Sequence, residues 1–154
     1  MTEAAQENKQ PAFNIEKIYV KDLSLEIPHA PHIFLERESP QIDVQLSTQT
    51  ETIEADVYEV MITNTVTAKV GEKVMFLIEV KQAGIFRLSN LPDEDMEPVL
   101  AVMCPNILFP YLREIVSSTT VRAGFAPVML NPVNFDTLYQ QHKQQQAQAA
   151  GTTH

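Results

Sequence analysis

Apolar and polar residues alternate along the first half of the chain, and the period of that alternation changes near residue 105. Over residues 13–26 the period is two. It sets Phe13, Ile15, Lys17, Tyr19, Lys21, Leu23 and Leu25 on one face. Asn14, Glu16, Ile18, Val20, Asp22, Ser24 and Glu26 take the other, which predicts a first β-strand. Pro28 and Pro31 then impose an extended, non-helical segment. Ile42, Val44 and Leu46 alternate with Asp43, Gln45 and Ser47, the pattern of a half-buried second strand. Tyr58, Val60, Ile62, Asn64, Val66 and Ala68 line one face of a third strand, whose Thr-rich other face suits a pleated surface. Val70-Gly71 reads as a tight turn into a fourth strand over residues 72–81. There Val74, Phe76, Ile78 and Val80 face one way, and Met75, Leu77, Glu79 and Lys81 the other. The second face also begins apolar, so helices, another subunit or a ligand are expected to cover it. Turns this short predict an antiparallel meander.

Residues 84–98 read as a long connection ending in Asp93, Glu94, Asp95 and Glu97, a solvated loop or the start of a short helix. A helix is then expected to begin between Asn106 and Phe109, with Pro110 in its first turn. Its inner stripe is Leu108, Tyr111, Leu112, Ile115 and Thr119, and Gly124 supplies the stop. A second helix starts at the N-cap Asn134, anchored by Phe135, Leu138 and Tyr139, with His142 one turn on. The fold class is α+β: a four-stranded antiparallel meander with two C-terminal helices. Residues 1–11 are expected to be disordered, 12–142 to form one domain, and 143–154 to be a flexible polar tail.

Charge narrows the function. Lys and Arg number 11 against 20 Asp and Glu, a net charge of −9. That opposes binding to nucleic acid or to anionic lipid and favours a basic partner. One cysteine excludes an internal disulfide framework. The first ten residues lack a secretory pattern, and no run of about 20 apolar residues suggests membrane insertion. A cytoplasmic protein is expected.

Catalytic patterns are not found. Cys104 precedes Pro105 with no neighbour to activate it and reads as a small buried hydrophobe. His29 and His32 could begin a metal site, but no third ligand follows at a convincing spacing. The four glycines are scattered rather than gathered in a phosphate loop. No enzyme activity, cofactor or metal is expected. Two surface features stand out. Asp22 and Glu26 share a strand face at about 13 Å, and Leu77 and Glu79 share another, the ordinary explanation being a solvated sheet. Ile85, Phe86, Leu88, Leu91, Leu108 and Phe109 crowd the long connection and the helix start. They are either core or the wall of an open apolar groove.

Four segments carry a resemblance: IYVKDLSLEIPHAPHIF (18–34), GEKVMFLIEVKQAGIF (71–86), CPNILFPYLRE (104–114) and NPVNFDTLY (131–139). In this order, over residues 13–139, the chain resembles the SecB protein-export chaperones. The resemblance implies a four-stranded sheet with two helices and a homotetramer assembled as a dimer of dimers. It implies binding of unfolded precursor proteins and their delivery to the translocation ATPase SecA. It also implies that an acidic sheet surface, here Asp22, Glu26, Leu77 and Glu79, receives the ATPase's zinc-bearing C-terminal tail, the zinc belonging to the partner. The glutamine-rich end of this chain is nearly uncharged, where family tails can be acidic. Holding unfolded chains needs adaptable apolar surface, which six methionines suit, and it proceeds by mass action without ATP. A secretion chaperone devoted to one effector, and an enzyme or small-ligand module using the apolar cleft, are the competing readings. Binding of several unrelated clients, or a cleft with convergent polar groups, would separate them.

Overall fold

The structure, a computed structural model, describes residues 10–151. Residues 1–9 and 152–154, which include most of the expected N-terminal segment and the tip of the tail, lie outside the described residues. The strands are β1 (Ala12–Glu26), β2 (Gln41–Glu54), β3 (Val57–Val70) and β4 (Lys73–Ser89). A helical run follows: α1 (Asp93–Pro98), a π turn (Val99–Met103) and α2 (Cys104–Arg122). A crossover segment leads to α3 (Phe135–Gly151).

All four strands pair antiparallel, as the alternation predicts, in the order β1-β4-β3-β2. The expected meander holds for β2-β3-β4 only. Two-residue turns join those strands, with Asp56 and Gly71 at φ near +60°, and Leu88 N–H donates to Asp56 O at 2.8 Å. β1 instead lies beside β4. The reason is the proline-fixed connection 27–40, which is long enough to cross the end of the sheet. A 3₁₀ turn there buries Ile33 and stacks Phe34 on Phe125 at 5.1 Å.

β1 departs from strict alternation. Its pairing with β4 slips between Ile15 and Lys17 and again between Val20 and Asp22. Each slip adds one residue and reverses the parity. Phe13, Ile15, Ile18, Val20, Leu23 and Leu25 therefore all pair with the β4 residues that face the helices. Plain alternation splits this set between two faces.

β4 is longer than expected. It continues through Ser89, so the supposed connection 84–98 shrinks to residues 90–92, followed at once by α1. Gln82 and Gly84 hid the continuation. Gln82 is buried, and its Nε2 donates to Tyr19 O at 3.0 Å. Gly84 lies where α2 packs on the sheet: a Cβ there would stand 2.9 Å from the Phe86 ring and 3.0 Å from Leu108.

The core lies between the sheet and α2. Val60, Ile62, Val66, Ile78, Val80 and Phe86 meet Leu108, Leu112 and Val116. Each such side chain contributes roughly 1.5–3 kcal/mol on burial. Leu108, Leu112 and Thr119 of the expected inner stripe are buried, but Tyr111 is exposed and Ile115 only half-buried. The run Asp93–Arg122 is, against expectation, long and apolar enough to cross a membrane by length and composition. Of its most apolar window 33% is buried within the protein, and Met103, Tyr111 and Val121 stay exposed. Asn134 caps α3 as expected, its Oδ1 accepting from Thr137 N–H at 3.0 Å. The helix continues through the polar stretch to Gly151, and Phe135 and Tyr139 are its buried anchors.

Candidate functional site

One side of β2 has no strand partner among the described residues, and a trough runs beside it. The crossover segment forms the opposite wall. Val128 and Leu130 of that segment are buried while Met129 between them is exposed. Two polar attachments hold the segment. Thr120 Oγ1 accepts from Val128 N–H at 3.0 Å, and Arg113 Nε donates to Leu130 O at 3.0 Å. Ile42 and Val44 stand nearly half exposed on the β2 wall. Phe109, Leu46 and Asn64 line the hollow between the walls, which measures about 490 Å³. A second hollow of about 340 Å³ shares Leu46 and is lined by Phe135, Leu138, Tyr139 and His142. The two hollows share Leu46, and the larger of them, bounded by a segment without regular structure, is the trough.

This is not the expected groove. Phe86, Leu88 and Leu108 are buried in the core, Ile85 faces the opposite side of the sheet, and Leu91 lies in the short β4–α1 connection. Of the residues proposed from sequence, Phe109 alone lines the trough. The correction follows from β4: once that strand runs to Ser89, its apolar residues belong to a ladder and not to a loop. The trough residues Ile42, Val44 and Met129 went unnoticed, although Ile42 and Val44 already read as the apolar face of a half-buried strand.

The open face of the sheet is different in kind. Asp22, Ser24 and Glu26 of β1 pair in register with Lys81, Glu79 and Leu77 of β4, so they share one face. Asp22, Glu26, Leu77 and Glu79 are thus brought together as one patch. Two further residues join it. Lys81 is the register partner of Asp22, and Asp43 lies in the row Glu26–Leu77–Thr67–Asp43. Toward the other end of this face the charges are paired. Glu59 accepts from Tyr19 Oη–H and from Lys21 Nζ, the latter at 2.8 Å. Arg87 Nε reaches Glu16 at 2.6 Å. Burial and then the hydrogen bond to Glu59 push the Tyr19 hydroxyl up to about 12. Burial alone would raise Glu59, but Lys21 and Tyr19 outweigh it and hold the carboxyl below its usual value.

The candidate reactive groups are placed as follows. Cys104 is buried, and desolvation pushes its thiol up to about 12, so it stays protonated. His29 and His32 border a hollow with Glu36 and Lys73, and no group of three metal-ligating side chains occurs among the described residues.

The chain matches the family model described as preprotein translocase subunit SecB over residues 6–146. The protein-export protein SecB of Nitrosomonas eutropha is 62% identical to it, covering 96% of this chain and 91% of that protein. The protein-export protein SecB of Methylobacillus flagellatus is 58% identical, covering 98% of this chain and 96% of the relative. Among solved structures, a SecB-like chaperone of Mycobacterium tuberculosis in complex with an antitoxin ChAD peptide superposes with a TM-score of 0.64. It is 18% identical, covers 79% of this chain and 90% of its own, and shares the fold.

Proposed function

The chain belongs to the SecB family of preprotein translocase subunits, and from that premise we propose that it is a protein-export chaperone that holds precursor chains unfolded in the cytoplasm and passes them to the translocation ATPase SecA. The observation that carries the reading is the trough beside β2. An unfolded client offers apolar side chains and unpaired backbone in no fixed order. A trough with apolar walls, an adaptable Met129 and an edge strand without a partner among the described residues meets that chemistry. Binding the unfolded state withdraws it from the folding equilibrium by mass action, which requires no ATP.

The open-face patch suits the motor protein's tail. Glu26 and Glu79 beside Leu77, with Asp22 farther along the same face, present charge for a basic partner and one apolar contact for packing. Assembly as a dimer of dimers is supported elsewhere. β1 is an edge strand exposing Ile15, Val20, Leu23 and Leu25, and Tyr111 and Val121 of α2 are exposed. Gln82 Oε1 is buried without a hydrogen-bond partner among the described residues, in a hollow between β1 and α2 where a second subunit could supply a donor.

Light scattering after size exclusion, run with a reduced unfolded precursor and without nucleotide, tests both halves. The expected mass is about 69 kDa, four times the 17.3 kDa chain, rising by one client. A monomer at micromolar concentration would remove the assembly, and a mass unchanged by client would remove the chaperone reading.

A further inference from the structure

Asn64 stands out within the trough. It occupies the helix-facing side of β3, between Leu46 and Val80 in register, where its strand neighbours on that face, Ile62 and Val66, are apolar and fully buried. Asn64 is itself fully buried. Its Nδ2 donates to Gln45 O at 3.0 Å, which fixes the amide orientation, since the flipped amide would set two acceptors against each other. Oδ1 is left buried with no hydrogen-bond partner among the described residues. A buried acceptor without a donor is costly, and an apolar residue would fit this position without that cost.

Resting on the proposal that the trough holds client segments, we infer that Asn64 makes it selective for an apolar side chain carrying one neutral donor: Tyr or Trp in preference to Phe or Leu. The chemistry of the lining points this way. Ile42, Val44, Leu46, Phe109, Val128 and Leu130 offer only hydrocarbon to such a side chain, and Asn64 contributes the acceptor. A ring with an apolar body and a polar tip fills the hollow and satisfies Oδ1 together. A Phe ring fills it and leaves Oδ1 unsatisfied. Oδ1 is itself buried, so the inference requires the lining of the hollow to shift before a donor reaches it. The displacement offsets part of the gain and keeps the preference modest.

The probe is a soluble, fluorescein-labelled peptide of leucines and serines with one central position varied as Tyr, Phe, Trp or the benzothienyl isostere of Trp, which lacks the N–H. Affinities are read by anisotropy on wild type, Val44→Glu and Asn64→Leu. Wild type should bind Tyr over Phe, and Trp over its isostere, by about fivefold, the worth of one net hydrogen bond. In Asn64→Leu both ratios should fall to near one with Phe binding retained. Equal binding of each pair to wild type overturns the selectivity, including the case in which a resident water already satisfies Oδ1. Because that comparison needs wild type alone, it holds even if Asn64→Leu misfolds. Ratios that persist in a folded Asn64→Leu overturn the assignment to Asn64. Peptide binding undiminished by Val44→Glu overturns the trough itself, a separate failure.

Discussion

The trough beside β2 and the open face across β1 and β4 are built from the same sheet by opposite means. The trough exists because an edge strand and an irregular segment face each other across a gap, leaving Ile42, Val44 and Met129 exposed. The open face exists because regular pairing sets Asp22, Glu26, Leu77 and Glu79 on one surface, which no helix covers among the described residues. On the proposed reading the first binds its client by burying hydrocarbon, which salt leaves largely untouched. On the same reading the second binds the motor protein's tail by charge across water, so its contribution is small per residue and salt-sensitive. If the client is handed to a second protein as proposed, two such unlike sites would let each be engaged separately.

The largest expected effect separates the trough from the core. Leu108→Ala removes a fully buried side chain facing Gly84 and should destabilise the protein by about 2–5 kcal/mol, read by urea denaturation. Val44→Glu changes a side chain nearly half exposed on β2. It should leave stability within about 0.5 kcal/mol and weaken client binding by tenfold or more, by about the transfer energy of one apolar side chain. If Leu108→Ala instead spared the fold and lost client binding, the groove would lie where the sequence pattern first suggested.

That contrast also marks what was legible in the sequence. The antiparallel sheet and the two long helices were, because alternation and helical period are local signals. The acidic patch was legible too: Asp22 and Glu26 both follow the second slip of β1, so their shared face survives it. The full apolar face of β1 was not, since two inserted residues reverse parity and only the partner strand reveals them. The trough was missed for a related reason. Gln82 and Gly84 look like strand breakers, yet one is paired through its amide and the other admits the Phe86 ring. Reading β4 as ended there turned core residues into a loop and drew attention from β2. The edge position of β2 depends on where β1 docks, which no local pattern records.

A smaller effect tests the open face. Calorimetric titration with the basic, zinc-loaded tail peptide of the ATPase should show Asp22→Lys and Glu79→Lys weakened by about three- to fivefold at low salt, and converging on wild type at high salt. Lys81 is the cation within the patch, beside Asp22. Lys81→Glu should therefore tighten the same peptide. Client binding should be unchanged in all three. Equal peptide affinity across these variants would take the patch out of the partner site, and a parallel loss of client binding would show that the two regions are not independent.

The smallest effect concerns the paired end of the same face, where charge stabilises the fold instead of awaiting a partner. Tyr19 ionises near 12 in the folded chain against an ordinary 10.0. Between those values the unfolded chain has lost the phenolic proton and the folded chain has kept it. The unfolded state then binds fewer protons, so stability falls as pH rises, and the contribution is complete only below 10. Tyr19→Phe lacks both the hydrogen bond to Glu59 and the ionisation. Its deficit in stability should be constant up to pH 10 and close between 10 and 12. The ring is partly exposed, so solvent screening keeps the deficit under about 1 kcal/mol. At the acid end the sign reverses. Glu59 is held below its usual 4.5, so its stabilisation is present above that value and lost as pH falls through the lower folded one. Lys21→Met should flatten this acid limb, since Lys21 is one of the two groups that hold Glu59 down. Urea midpoints measured across pH for wild type, Tyr19→Phe and Lys21→Met read both limbs. A gap between wild type and Tyr19→Phe that stays constant to pH 12 would mean the phenol is not coupled to Glu59. The division of the open face into a paired end and a receptive end would then lose its physical basis.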